Sequence, residues 1–479
     1  MQDGATIAAI STAVSSAGIG IVRMSGPESF DIADRIYRSK KKKKLSEQKS
    51  HTIHYGFIMD DGETVDEVLV MLMRGPASYT GEDTVEINCH GGVYVVKRIL
   101  ETMIKNGARP AEPGEFTKRA FLNGRLDLSQ AEAVGDLIAA QNQYALQSSV
   151  SQLKGNIRNE ITDIRNQILY HTAFIETALD DPEHISVDGY GEKLRVSVEE
   201  MEHRIRRLLD TCDNGRIMKE GIRTVILGRP NAGKSSLMNV LLGEDRAIVT
   251  DIAGTTRDVL EEHLNLNGIS LNIMDTAGIR ETDDIVEKIG VDKAKEHAEE
   301  ADLILYVIDS SEEMDENDQE ILRMIQGKRA VILLNKSDLV MRVTREDVTQ
   351  AYDRSSESLN DINPAKINEK ENLIIPIIEV SARNSSGITE LEDTLKNMFF
   401  AGNLSFNDEI YITNVRHKTA LADAEESLER VRESIDAGMP EDFYSIDLLD
   451  AYEKLGNITG ETMGEDLVNE IFSKFCMGK

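Results

Sequence analysis

One eight-residue run limits what this chain can fold into: Gly228-Arg229-Pro230-Asn231-Ala232-Gly233-Lys234-Ser235. It follows the apolar segment Thr224 to Leu227 and precedes a helix-forming stretch from Ser236 to Leu242. A glycine-rich turn between strand and helix aims backbone amides at an anion, and the helix N-terminus favours the same charge. The run therefore predicts a phosphate loop in an alternating α/β sheet. Further strands are expected at Leu271 to Met274, Leu303 to Ile308, Ala330 to Leu334 and Ile374 to Val380. Helical segments separate most of them, which is the pattern of a largely parallel sheet.

The flanks have different textures. At 479 residues the chain is long enough for about three domains. Residues 1–121 alternate short apolar stretches, such as Ile19-Gly20-Ile21-Val22, with turns and a helical patch at Val93 to Lys105, an α+β pattern. Residues 122–220 carry apolar positions at helical spacing, among them Ile157, Ile161, Ile164 and Ile168. Residues 401–479 return to helices, expected at Ala420 to Ile435, Ser445 to Leu455 and Gly464 to Phe475. The reading is a multidomain chain, α/β and all-α. It has an N-terminal α+β domain and a helical domain split in two by an inserted α/β domain over 221–400. The polar stretch Thr344 to Glu371 is expected to hold a helix and an insertion around Ser355 to Asn372.

The three cysteines, Cys89, Cys212 and Cys476, are too sparse for a disulfide framework and fit a cytoplasmic setting. No apolar run approaches the roughly 20 residues of a membrane span, and the first residues lack a signal-peptide pattern. A net charge of −31 argues against a surface that binds nucleic acid everywhere. It leaves room for a local patch. Lys40 to Lys44 form one such run, read either as a solvated loop or as an RNA-backbone contact.

The base is selected elsewhere. Asn335-Lys336-Ser337-Asp338 follows the strand Ala330 to Leu334, and a carboxylate at Asp338 can accept from guanine's ring N–H and exocyclic amine. Adenine lacks that donor pair. Ser381-Ala382-Arg383 follows the last strand, where the Ala382 amide is placed to meet the guanine oxygen. Within the loop, Asn231, Ala232, Gly233, Lys234, Ser235 and Ser236 are the phosphate-binding candidates. Lys234 would bridge the terminal phosphates and Ser235 would hold Mg²⁺. Asp275-Thr276-Ala277-Gly278 would support the metal through water and meet the last phosphate. Thr250-Asp251-Ile252-Ala253-Gly254-Thr255-Thr256 lies between, with Thr256 as the second hydroxyl on Mg²⁺. These elements occur in the order of a Ras-like P-loop GTPase binding GTP and GDP. After Gly278, where many such enzymes carry glutamine, stands Ile279, which cannot orient water. Glu281, Asp283 and Glu287 are the acidic candidates for that task. Arg257, Arg280 or a monovalent cation near Asn231 could neutralise charge.

The chain resembles the MnmE (TrmE) family of tRNA-modification GTPases. The likeness rests on Gly81-Glu82-Asp83-Thr84-Val85-Glu86, His90-Gly91-Gly92, the block from Arg109 to Asn123, Leu126 to Glu132, the nucleotide motifs, and Phe475-Cys476-Met477-Gly478-Lys479. The resemblance implies that the first domain binds a reduced folate such as 5-formyltetrahydrofolate and forms a homodimer. It implies a heterotetramer with the flavoprotein MnmG (GidA) that adds an aminomethyl or carboxymethylaminomethyl group to carbon 5 of the wobble uridine of tRNA. It further implies K⁺ bound by Asn231 and carbonyls near Thr250, Ile252 and Thr255, and it favours Glu287 as the water-orienting residue. For folate the matching positions are Arg23, Glu86, Arg125 and Lys479. The three cations suit the tail carboxylates and Glu86 the pterin's donor edge. Cys476 becomes a candidate for the tRNA reaction. The alternative is a regulatory or ribosome-assembly GTPase without modification chemistry, which would have no use for the block from Arg109 to Glu132.

Overall fold

The computed structural model describes residues 4–186, 189–242, 262–266, 268–274, 297–360, 375–400, 410–475 and 478. The chain divides into two compact units. One comprises 1–139, 149–209 and 415–479, and the other 140–148 and 210–414.

The first unit contains a seven-stranded sheet: β1 (Ile7–Ile10), β2 (Ile19–Ser25), β3 (Tyr37–Arg38), β4 (Thr52–Asp60), β5 (Glu63–Met73), β6 (Thr84–His90) and β7 (Arg109–Pro110). Their order is β3-β4-β5-β6-β2-β1-β7, antiparallel except for the β1–β7 pair. Side chains alternate across such a sheet. Val22, Met24, Val68, Val70, Val85 and Ile87 face helices α1 (Ser29–Ile36) and α2 (Val93–Lys105), where Ile32, Ile36, Ile99 and Met103 complete the core. The alternate positions, Arg23 and Glu86 with exposed Ile19, Ile53, Tyr55 and Leu69, take the other face.

Helix α3 (Glu115–Leu122) leads into a helical part made of α4 (Leu128–Ala139), the second half of α5 (Gln143–Leu153), α6 (Asn156–Asp180) and α7 (Tyr190–Asp210). Far along the chain the same unit gains three more helices within 415–479. In α6 the buried positions Ile157, Ile161, Ile164, Ile168 and Ile175 keep the spacing of one helical face. No helix among the described residues is long and apolar enough to cross a membrane.

The second unit is built on a six-stranded sheet with the order β13-β12-β11-β8-β10-β9. Its strands are β8 (Ile222–Leu227), β9 (Glu262–Leu266), β10 (Ile269–Ile273), β11 (Leu303–Asp309), β12 (Ala330–Asn335) and β13 (Ile377–Glu379). Five strands are parallel and β9 pairs antiparallel at the edge. β11 and β12 are buried along their whole length, as expected for central parallel strands covered on both faces. Helix α8 (Cys212–Glu220) enters the sheet and α9 (Lys234–Leu241) follows β8. Then come α10 (Glu316–Met324), α11 (Arg345–Asn360) and α12 (Ile388–Phe400). Helices α13 (Val415–Asp436), α14 (Glu441–Thr459) and α15 (Glu465–Ser473) belong to the first unit. The two halves of its helical part are tied by Glu132 of α4. This carboxylate accepts from Arg416 at 2.6 Å and pairs with fully buried His417 at 2.9 Å, both on α13.

Two features of this fold lie beyond the sequence reading. Edge strand β9 was not foreseen, because only Leu264 and Leu266 mark its apolar face. Residues 140–148 group with the parallel sheet although their neighbours do not. Asn142 explains this locally, since its amide donates to the Met218 carbonyl at 3.2 Å and to Ser270 Oγ at 2.9 Å. Of the insertion expected at Ser355 to Asn372, residues 361–372 lie outside the described residues.

Candidate functional site

Strand β8 ends at Leu227 and the chain turns sharply at Gly228, with φ 152°, against β11. A Cβ at Gly228 would lie 2.4 Å from the Val307 carbonyl oxygen, so only glycine fits that approach. Asn231 (φ 64°) and Gly233 (φ 93°) then carry the loop over into α9 through left-handed conformations. The result is a backbone turn at a helix N-terminus, where unpaired amides and the helix dipole favour an anion.

Lys234 lies inside this turn. Its ammonium donates to the carbonyls of Gly228 at 2.6 Å and Arg229 at 2.8 Å. Among the described residues no carboxylate neutralises it, and burial holds its pKa below the ordinary lysine value. A bound phosphate would supply the missing negative charge. Arg229, in the same loop, has a different role. It is ion-paired with Asp315 at 3.2 Å and with fully buried Asp318 at 3.1 Å, and Tyr306 donates to Asp318 at 2.6 Å. Arg229 thus fastens the loop to α10. Sequence reasoning missed this fastening, although Asp315 and Asp318 have the three-residue spacing of a capping box at the start of α10.

The loop after β12 meets the phosphate loop directly. Asn335 Nδ2 donates to the Ala232 carbonyl at 2.8 Å, and Asn335 Oδ1 accepts from the Ala382 amide at 3.2 Å. One side chain therefore ties the ends of β8, β12 and β13 together. Asp338 accepts from Ser381 Oγ at 2.6 Å, and this hydrogen bond holds its carboxyl below the usual carboxylate range. Lys336, at φ 62°, pairs with Asp309 at the end of β11. Asn335, Lys336, Asp338, Ser381 and Ala382 are thus joined with Ala232 in one hydrogen-bonded ridge. Arg383 follows Ala382 and Ser236 follows Ser235 in the first turn of α9. Of the remaining sequence candidates for the nucleotide and its metals, 250–256, 275–278 and Glu287 lie outside the described residues.

A second cluster sits on the helix-free face of the first sheet. Arg23 and Glu86 are register partners on β2 and β6, and Arg23 Nε donates to Glu86 Oε1 at 2.7 Å. The Arg23 guanidinium lies 5.3 Å from the Tyr79 ring centre and 5.6 Å from that of Phe116. The Arg125 guanidinium approaches the Tyr79 ring at 4.9 Å. The Gly478 carbonyl accepts from Ser11 Oγ at 3.2 Å and from Arg23 at 3.5 Å, which brings the far end of the sequence to this spot. Cys476 and Lys479 lie outside the described residues. Arg23, matched to the tail carboxylates, and Glu86, matched to the pterin's donor edge, are thus paired with each other here. Tyr79, not foreseen, is the ring that both arginines flank.

A phosphate loop on a parallel sheet, joined to an Asn335-to-Asp338 ridge that presents a carboxylate, defines a P-loop GTPase. Its flanks are matched by two family models. The "GTP-binding protein TrmE N-terminus" model covers residues 6–125 and the "MnmE helical domain" model covers 128–476. The tRNA modification GTPase MnmE of Lachnoclostridium phytofermentans is 57% identical over 475 residues, 99% of each chain. Those of Acetivibrio thermocellus and Geobacillus kaustophilus are 48% and 46% identical over 478 and 483 residues, covering at least 99% of both chains. The chain belongs to the MnmE family.

Proposed function

We propose that this protein hydrolyses GTP to drive modification of the wobble uridine of tRNA at carbon 5, together with a flavoprotein of the MnmG type. The observation that carries this reading is the extent of the likeness. It reaches across 99% of the chain, through both flanks as well as the GTPase segment. The flanks are where a purely regulatory GTPase would differ.

In this reading the first turn of α9 receives the nucleotide phosphates, with Lys234 neutralising charge and Ser235 and Thr256 as hydroxyl ligands for Mg²⁺. The site suits such a load, since among the described residues the Lys234 ammonium is held by carbonyls alone. Asn231, exposed at the loop's crest with its backbone in the left-handed region, offers a side-chain oxygen to K⁺. Carbonyls near Thr250, Ile252 and Thr255 complete that set, and Glu287 orients water. A cation there would stabilise the charge that develops on hydrolysis.

A reduced folate is assigned to the second cluster. Glu86, oriented by Arg23, accepts from the pterin's donor edge. Tyr79 offers a flat face beside it, and Arg125 with Lys479 attracts the tail carboxylates. Cys476 is assigned to the tRNA reaction. The exposed apolar positions on the same sheet face support a homodimer formed through this domain. The domain limits 1–121, 122–220, 221–400 and 401–479 and a cytoplasmic location belong to the same reading.

Two measurements test it. GTP turnover should be several-fold faster in K⁺ than in Na⁺, and equal rates would remove the cation from the mechanism. Mass analysis of tRNA from a deletion strain should show wobble uridines lacking the carbon-5 group. Unchanged uridines would overturn the tRNA assignment.

A further inference from the structure

The lysine run Lys40 to Lys44 is not a loose surface stretch. Residues 39–50 form a turn that is pinned at its base. Leu45 is fully buried in the core of the first sheet. Asp34 of α1 binds the Leu45 amide and the Ser46 hydroxyl. Arg74, stacked 4.2 Å over Phe30, donates to the Ser46 carbonyl at 2.6 Å. Within the turn the Lys42 amide donates to the Ser39 carbonyl and the Lys43 amide to Ser39 Oγ, both at 3.0 Å. Lys42 itself sits at φ 47°, a conformation that glycine or asparagine would adopt more easily.

Charge is concentrated here against the trend of the molecule. The chain carries −31 overall, yet residues 35–50 hold eight cationic side chains against one carboxylate, Glu47. Lys40 to Lys44 are all exposed, and among the described residues none of the five is paired with a carboxylate. Lys43 also adds its field to the burial that lowers the pKa of His54. Five like charges on a pinned turn repel one another, and in an acidic protein they would ordinarily be neutralised by neighbouring carboxylates. An array kept unneutralised matches a polyanion with closely spaced charges.

We propose that this turn is a docking site for the phosphate backbone of tRNA. The proposal rests on the tRNA-modification reading and adds to it a surface and a mode of contact. The position is suitable. The turn joins β3 to β4 at the sheet edge on the helix-covered side, with the Arg23–Glu86 pair on the opposite face and three strands in, about 14 Å across the sheet at the usual strand spacing. A folded RNA spans that distance with ease. Because lysines reach phosphates as point charges, the contact positions the RNA without reading its sequence.

The test measures tRNA affinity of the full-length protein against salt concentration, for the natural chain, a variant with all five lysines changed to glutamine, and one with all five changed to arginine. GTP turnover without tRNA and the thermal midpoint check that each variant is folded, since no side chain pinning the turn is altered. Each lysine on a phosphate contributes roughly one unit to the log–log salt slope. With two or more in contact, the glutamine variant should bind about 10–100-fold more weakly at low salt, with a slope lower by about two. The arginine variant should bind like the natural chain. Unchanged affinity and slope in a folded glutamine variant overturn the proposal, including where its binding to the flavoprotein falls instead. Absence of tRNA binding by the natural chain overturns this proposal together with the tRNA reading beneath it.

Discussion

The amide of Asn335 donates to the carbonyl of Ala232, 103 residues earlier, at 2.8 Å. The loop facing the base and the loop facing the phosphates are therefore one mechanical piece. Gly233, next to Ala232, makes the approach possible. A Cβ there would stand 2.2 Å from Asn335 Nδ2. Gly233→Ala and Asn335→Ala should each weaken GDP binding at least tenfold. Each should lower stability by about 1–3 kcal/mol, the cost of backbone strain or of buried polar groups left unpaired. Because Asn335→Ala removes the atom that a Cβ at Gly233 would strike while the backbone strain at φ 93° remains, the double variant should lose less than the sum. Nucleotide titration and denaturant melts of the four proteins check this, and simple additivity would contradict it.

Asp338 accepts from Ser381 Oγ at 2.6 Å at the edge of the ridge where the base is expected. Asp338→Asn turns an acceptor into a donor, which opposes guanine's N–H groups and suits a base with a carbonyl at that position. GTP should lose at least about 100-fold in affinity relative to XTP, given the cost of mismatched polar groups. Competition binding with the two nucleotides measures the ratio.

Arg229 is held by Asp315 and Asp318 and is not aimed at a ligand. Arg229→Ala leaves the fully buried Asp318 uncompensated and should cost about 3–5 kcal/mol. Turnover per folded molecule should stay within about twofold. A large fall in turnover with stability unchanged would place Arg229 in the chemistry instead.

Burial alone would raise the pKa of Glu132. The hydrogen bonds and charges of His417 and Arg416 outweigh it and hold the carboxyl at about 2. The unfolded value is 4.5, so this pairing stabilises the fold fully above pH 4.5 and is lost as pH falls towards 2. By this reckoning it contributes about 3 kcal/mol at neutral pH. The stability difference between the natural chain and Glu132→Gln should therefore shrink from pH 7 to pH 3. A constant difference would refute the assignment.

Periodic segments were the legible part of the fold. The helix expected at Val93 to Lys105 is observed with the same limits, and the strands expected to end at Ile308 and Leu334 each run one residue further. Their patterns are local, set by repeated burial on one face or both. What the sequence did not disclose depends on register and on distant partners. Arg23 and Glu86 face each other only because β2 and β6 pair in one register out of several, and a shift of one residue would turn each side chain to the other face. The Arg229–Asp318 pair likewise joins residues with no shared local pattern. In the nucleotide site the identities of Lys234, Asn335 and Asp338 were readable from motif spacing, because that chemistry tolerates few residue types. The Asn335–Ala232 bond was not, since it requires β8 and β12 to be set in the same sheet.

Ser11 and Arg23 meet the Gly478 carbonyl across 467 and 455 residues. During synthesis the first sheet can form long before residue 478 leaves the ribosome, but the second cluster cannot be finished until then. A nascent or truncated chain would carry a working phosphate loop and an incomplete partner site. Assembly of that site thus reports that synthesis has passed residue 478.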